Sequence, residues 1–168
     1  MAPDINRRKF LGSTAAAAAA FTIVPRHVLG GPGFIPPSDK ITLAHIGMGT
    51  QAIRNLGELL ADTNFQLTAV CDVDKTGGTH LEWAKGSVRD GVRRLLEEPT
   101  WFQSRGDVVP GGRDVGKDII ETYYRKHGSK QVVNIYEDFR EMLDREKDLD
   151  VVKVMTPDHM GSTLAAPS

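Results

Sequence analysis

An α/β fold, with a parallel sheet covered by helices on both faces, is what the sequence predicts, and three observations carry the prediction. Short, mostly apolar stretches recur at residues 41–46, 66–71, 132–136 and 150–155, each suited to a strand buried on two faces. Stretches with helical spacing of apolar residues separate them. The first strand runs into a glycine turn that opens a helix, the βα unit from which such sheets are built.

That turn organises the chain. Ile41, Leu43, Ala44 and Ile46 form the strand, and Gly47, Gly49 and Ala52 then fit the pattern GxGxxG/A. The first glycine makes the tight turn, the second lets backbone approach a pyrophosphate, and the third small residue lets helix pack on strand. The helix from Thr50 to Asp62 carries Ile53, Leu56, Leu59 and Leu60 on one side and aims its free N–H groups and positive dipole end at the anion. A glycine turn alone is a common feature, but here the context agrees. The second strand ends in Asp72, at about the spacing after Gly47 expected of a carboxylate on the adenosine ribose hydroxyls. The alternative is a βα turn in which Asp72 merely caps the next element. No GxxxxGK[ST] loop occurs, and His45 and Ile46 stand where methyltransferase-type loops usually carry an acid.

The chain of 168 residues is one domain's worth of material, and an apolar fraction of 40% is enough for a core. Twenty-one Lys and Arg against 22 Asp and Glu give a net charge of -1, which provides no bulk field for nucleic acid or an acidic membrane. The one cysteine, Cys71, excludes an intramolecular disulfide and reads as a small buried hydrophobe. His27, His45, His80, His127 and His159 are scattered, without HExxH spacing, so no metal site is expected.

Residues 1–31 read as an address. Arg7 and Arg8 followed by Phe10 and Leu11 precede an alanine-rich run, the order of a charged region and an apolar region. The run is shorter than the roughly 20 apolar residues a membrane span needs, so no permanent anchor is expected. An alanine-rich helix packed on the domain is the alternative. The stretch resembles a twin-arginine export signal, which implies a periplasmic protein that folds before export. Residues 32–39, rich in glycine and proline, read as an irregular linker into a domain at 40–168.

After Asp72 an insertion is expected at about residues 76–113. Leu81, Trp83, Ala84, Val88, Val92, Leu95 and Leu96 have rough helical periodicity up to Pro99. A loop with Trp101, Phe102 and a Pro110, Gly111, Gly112 turn follows. The two aromatics either pin this insertion to the body or help to wall an adenosine pocket. Helices at 114–127, with Gly128 as its stop, and at 137–147 flank the third strand. The fourth strand ends in Thr156, Pro157, Asp158 and His159, a loop at a strand's carboxyl end and so expected to face the nicotinamide side, with Pro157 keeping a stiff turn rather than a tight helical start.

These motifs together, from Ile46 to Ala52, Val70 to Asp74, Tyr136 to Phe139 with Met142 and Leu143, and Asp150 to His159, resemble the N-terminal half of the Gfo/Idh/MocA oxidoreductases. The resemblance implies a Rossmann domain of an exported NAD(P)-dependent sugar or polyol dehydrogenase. It places Gly47, Met48, Gly49, Thr50, Gln51 and Ala52 at the pyrophosphate, Asp72 at the ribose, and Thr156, Pro157 and His159 at the nicotinamide. NAD is favoured over NADP because Asp72 repels a 2′-phosphate, although Lys75 lies nearby and keeps NADP open. A lone loop histidine is more often a cofactor contact or a surface group than a base, so no catalytic residue is assigned.

Where relatives often carry a second histidine after His159, this chain has Met160 and Gly161, and it stops at Ser168 before the family's Glu-Lys-Pro motif and substrate domain. The expectation is therefore an incomplete Rossmann sheet of four strands in the order 3-2-1-4, catalytically incomplete as written. The fourth strand is expected to be an open edge prone to self-association, and sugar or polyol to be a substrate only if the missing half is supplied. A non-catalytic nucleotide- or partner-binding module and a remnant without function are the alternatives.

Overall fold

The computed structural model describes residues 35–78 and 80–165, so the twin-arginine stretch lies outside the described residues. Contacts divide the chain between Ser38 and Asp39, and every strand among the described residues lies in the second unit. Four strands, β1 (Ile41–Ile46), β2 (Phe65–Cys71), β3 (Asn134–Tyr136) and β4 (Val151–Val154), pair in parallel in the order β3-β2-β1-β4. Among the described residues five α-helices accompany them: α1 (Thr50–Ala61), α2 (Ser87–Leu96), α3 (Arg113–Lys126), α4 (Phe139–Arg145) and α5 (Asp158–Ala165). The fold is α/β and Rossmann-like, as expected from the sequence. The chain steps outward from β1 to β3 and then returns past β1 to β4, so the strand order reverses there and leaves a crevice at the strands' carboxyl ends.

The two faces are unequally filled. On one, Leu43, Leu67 and Val70 meet Ile53, Leu56 and Leu60 of α1, Val88, Val92 and Leu96 of α2, and Val115, Ile119 and Ile120 of α3. Each such side chain contributes about 1.5–3 kcal/mol on burial. On the other face Ala44, Ile46, Ala69, Cys71 and Tyr136 meet Met142 of α4. The larger cluster holds α1, and therefore the glycine turn at its start.

A bulge decides which way the end of β2 points. Leu43 pairs with Leu67 but Ala44 with Ala69, so Thr68 is left over. The extra residue resets the alternation: Leu67 and Val70, three apart, both face the large core, while Ala69 and Cys71 face α4. Without it every residue from Ala69 to Asp72 would change face.

Several elements differ from the expectation. Residues 37–39, assigned to an irregular linker, include a turn of 3-10 helix, Pro37–Asp39, for which proline suits the first position. The helix of the insertion starts only at Ser87, and Leu81 and Trp83, 87% and 97% exposed, are outside it. Gly86 adopts a left-handed conformation at φ 77°, and the Glu82 carboxylate accepts the N–H groups of Gly86 and, at 3.2 Å, of Val88, which fixes the helix start. The helix ends at Leu96, with Glu97 left-handed, before Pro99 is reached. The third strand is shorter than 132–136, beginning at Asn134, with Val132 exposed. Of the two readings of Trp101, the structure shows the pinning one. Trp101 is buried in the large core, stacks on Phe102 at 5.0 Å, and donates its indole N–H to Asp118 of α3 at 2.8 Å.

Candidate functional site

A cleft of about 900 Å³ opens at the carboxyl ends of the strands. Its near wall is the β1–α1 turn, Gly47 and Gly49 to Ala52, with Asp72, Asp74 and His80. Its far wall is formed by Glu137 to Arg140 and by Met155, Thr156, Pro157 and Met160. Of the predicted site residues the fold thus brings Gly47, Gly49, Thr50, Gln51, Ala52, Asp72, Thr156 and Pro157 to one cavity.

The near wall is built by backbone hydrogen bonds. The Gly47 N–H donates to the Cys71 carbonyl at 2.8 Å, and the Met155 N–H to the Ile46 carbonyl at 2.8 Å, which seats the turn between the ends of β2 and β4. Gly47 has φ 87°, and a Cβ there would stand 2.3 Å from the Met155 carbonyl oxygen, so both its backbone conformation and its neighbour require glycine. Gly49 differs. Its φ is -73°, and a Cβ would meet only the His80 ring, at 3.8 Å, an ordinary contact. The fold itself leaves room there. Gly49 is also the N-cap of α1 and supplies no side-chain acceptor, and the first turn carries no acid, so the N–H groups and positive dipole end of the helix open on the cleft.

Asp72 holds this turn. One carboxylate oxygen accepts the Met48 N–H in a short hydrogen bond, and the other accepts the Asp74 N–H at 2.8 Å. Each oxygen keeps a further lone pair for an outside donor. Arg113 sits alongside, its guanidinium donating to the carbonyls of Asp72 and Val73 at 2.9 Å and to Glu137 at 2.8 Å, which ties the end of β2 to the start of the β3–α4 turn.

Two predicted residues fall elsewhere. Met48 does not line the cleft: its side chain is fully buried against Gly116 of α3, its N–H goes to Asp72, and its carbonyl accepts the Gly112 N–H at 2.8 Å. It anchors the turn from behind. His159 lies in the first turn of α5, exposed and away from the lining, because the helix starts at Asp158 directly after Pro157. Pro157 was expected to prevent a tight helical start. Proline instead suits that place, where no helical N–H is lost, and the Met160 N–H donates back to the Pro157 carbonyl at 2.8 Å. Met160 takes the lining position expected of His159.

Two contributors were not legible as site residues in the sequence. His80 was one of five scattered histidines, and the glycine pair Gly111 and Gly112 read only as a loop. In the structure Gly112 locks the turn through Met48, and Gly111 makes room for the His80 ring, whose Cδ2 would lie 1.9 Å from a Cβ there. No family model matches the chain, and neither a curated protein nor a solved structure matches it.

Charge in and under the cleft is mostly acidic. Asp72, Asp74, Glu137 and Asp138 face it against His80 and Arg140. Cys71 lines the floor as a neutral thiol, its pKa raised to about 11 by burial and by neighbouring Asp72. Beneath, in β1, His45 is fully buried with neither ring nitrogen in a hydrogen bond of good geometry, and burial together with Lys153 lowers its pKa to about 4 against a weaker opposing effect of the Gly47 backbone.

Proposed function

We propose that the chain binds a dinucleotide, NAD before NADP, across this cleft. It would be the cofactor-binding part of an exported sugar or polyol oxidoreductase of the Gfo/Idh/MocA type. The observation that carries the reading is the turn itself: a glycine whose backbone leaves no alternative, Gly47, followed by one whose own surroundings would accept a side chain, Gly49. A glycine retained where the fold leaves space fits a position that an external group must approach closely. Three further features support it. The first turn of α1 is uncapped by side chains and faces the cleft. The Thr156 hydroxyl oxygen, at the opposite wall, is buried without a protein partner. The cleft volume falls within the range of about 300–1,000 Å³ usual for small-molecule sites.

When bound, the cofactor would supply a hydride acceptor or donor; the residues here would bind and orient it. Gly49 to Ala52 would hold the diphosphate by backbone N–H groups, Asp72 the adenosine ribose, and Thr156 and Pro157 the nicotinamide end. NAD is preferred because Asp72 disfavours a 2′-phosphate, and the adjacent Arg113 guanidinium is already committed to two carbonyls and Glu137. No catalytic residue is assigned.

The test is an equilibrium titration of NADH and NADPH into the full chain and into the Asp72→Ala variant, read by nucleotide fluorescence. NADH is expected to bind the wild type more tightly than NADPH, and Asp72→Ala to weaken NADH by about tenfold or more while affecting NADPH less. Equal loss for both would remove the ribose assignment, and saturable binding of neither would remove the reading altogether.

A further inference from the structure

An anion in this cleft meets four carboxylates, so some cation on the near wall has to offset them, and among the described residues the one side chain lining that wall that can carry positive charge is His80. Its ring is lodged between two glycines: the Cε1 and Nδ1 edge faces Gly49, 3.8 and 3.9 Å from where a Cβ would stand, and the opposite edge lies against Gly111. Nε2 is buried, makes no hydrogen bond of good geometry, and stands 3.5 Å from the Asp74 carboxylate. The ring is thus held with one nitrogen toward an acid and the other toward the turn expected to seat the diphosphate. If Nε2 keeps its proton toward Asp74, a neutral ring turns the Nδ1 lone pair to an anion, which repels it. Only the imidazolium offers a donor on both sides.

Resting on the dinucleotide reading above, we propose that His80 is a diphosphate ligand. In its protonated form it donates Nε2–H to Asp74 and Nδ1–H to a phosphate oxygen on the Gly49 turn, so that dinucleotide binding takes up a proton from solvent. The other charged groups around it do not replace it. Asp72 is committed to the turn; Glu137, Asp138 and Arg140 lie on the far wall; Arg113 is bonded to carbonyls and Glu137; and Lys75 is exposed and away from the lining. The turn from Gly47 to Thr50 and the run from Pro110 to Gly112 bring no charge. Gly111 keeps its small size because the imidazole occupies the space of a side chain.

The experiment is calorimetric titration of NADH into the full chain near pH 6 and pH 8, with His80→Gln and Asp74→Asn in parallel and a thermal melt of each. The wild type is expected to bind roughly five- to tenfold more tightly near pH 6, with net proton uptake seen as a dependence of the apparent heat on buffer ionisation enthalpy. His80→Gln should bind at the weaker level at both pH values while melting as the wild type does. Asp74→Asn keeps the ring but removes the carboxylate that Nε2 faces at 3.5 Å, and should lessen the gain in affinity near pH 6. A flat wild-type profile, or the same slope in His80→Gln, overturns this role while leaving the dinucleotide reading intact; if His80→Gln does not fold, an undiminished gain in Asp74→Asn overturns it. Absence of NADH binding by the folded wild type at every pH overturns both.

Discussion

The two walls of the cleft are made differently. On the near wall the glycine turn is fixed from three sides, by the Cys71 carbonyl, the Asp72 carboxylate and the Gly112 N–H, with the Met48 side chain sunk into the core behind it. On the far wall, Thr156 to Met160 extend β4 at the edge of the sheet, where β4 pairs on one side with β1 among the described residues, and Pro157, Asp158, His159 and Met160 are exposed. A preformed wall binds without having to be ordered first, whereas an exposed one gains order only from what it touches. The near wall is therefore the half of the site on which affinity would depend.

The largest effect that would break this contrast is at Gly47. Gly47→Ala introduces a left-handed alanine and a clash with the Met155 carbonyl, and is expected to destabilise the chain by about 3 kcal/mol. Thermal or urea unfolding checks it, and an unchanged melt would mean that the turn is not fixed from β4. Next is a weakness beneath the same wall. His45 is held neutral when folded, with its pKa lowered from 6.5 to about 4, so the unfolded chain takes up a proton that the folded chain refuses. Stability should therefore fall as pH drops through that window, by about 3 kcal/mol from this residue. His45→Leu should flatten that part of the pH–stability curve, and an identical curve in the variant would contradict it.

A smaller effect sharpens the division between fold and binding. Gly49→Ala has room in the structure, so its melt should shift by no more than the roughly 1 kcal/mol of a poorer N-cap, while NADH affinity falls about tenfold, or about 1.4 kcal/mol. Loss of stability without loss of affinity would reverse the distinction between the two glycines. The smallest effect is beside the far wall: His159→Gln, outside the lining, should leave NADH affinity within twofold of the wild type in the same titration.

The pattern in the sequence was informative where one local rule governs. The apolar strands, the glycine turn and the helix after it could be read because strand burial, turn geometry and helix periodicity each act over a few residues. What could not be read depends on contacts distant in the chain. Thr68 looks like any strand residue, and only the pairing of Leu43 with Leu67 and Ala44 with Ala69 reveals the bulge that aims Asp72. The spacing of Leu67 and Val70, three apart rather than two, was the available signal. His80 becomes a site residue only because Gly111, some thirty positions later, leaves space for it. Trp83 and Leu81 matched a helical period but stayed in solvent, because Glu82 and Gly86 start the helix after them. His159 falls, by sequence, in a loop that the helix start at Asp158 shortens.

The measurement that reaches the near wall itself is a titration of NADH into isotopically labelled full chain, followed through its backbone amide resonances. Binding through a preformed turn should move the amides of Gly47 to Ala52 and of Asp72 most, with smaller shifts at Thr156 and no change in β3. Saturating shifts that leave those amides still, or none in a chain whose spectrum is that of a folded protein, would contradict it.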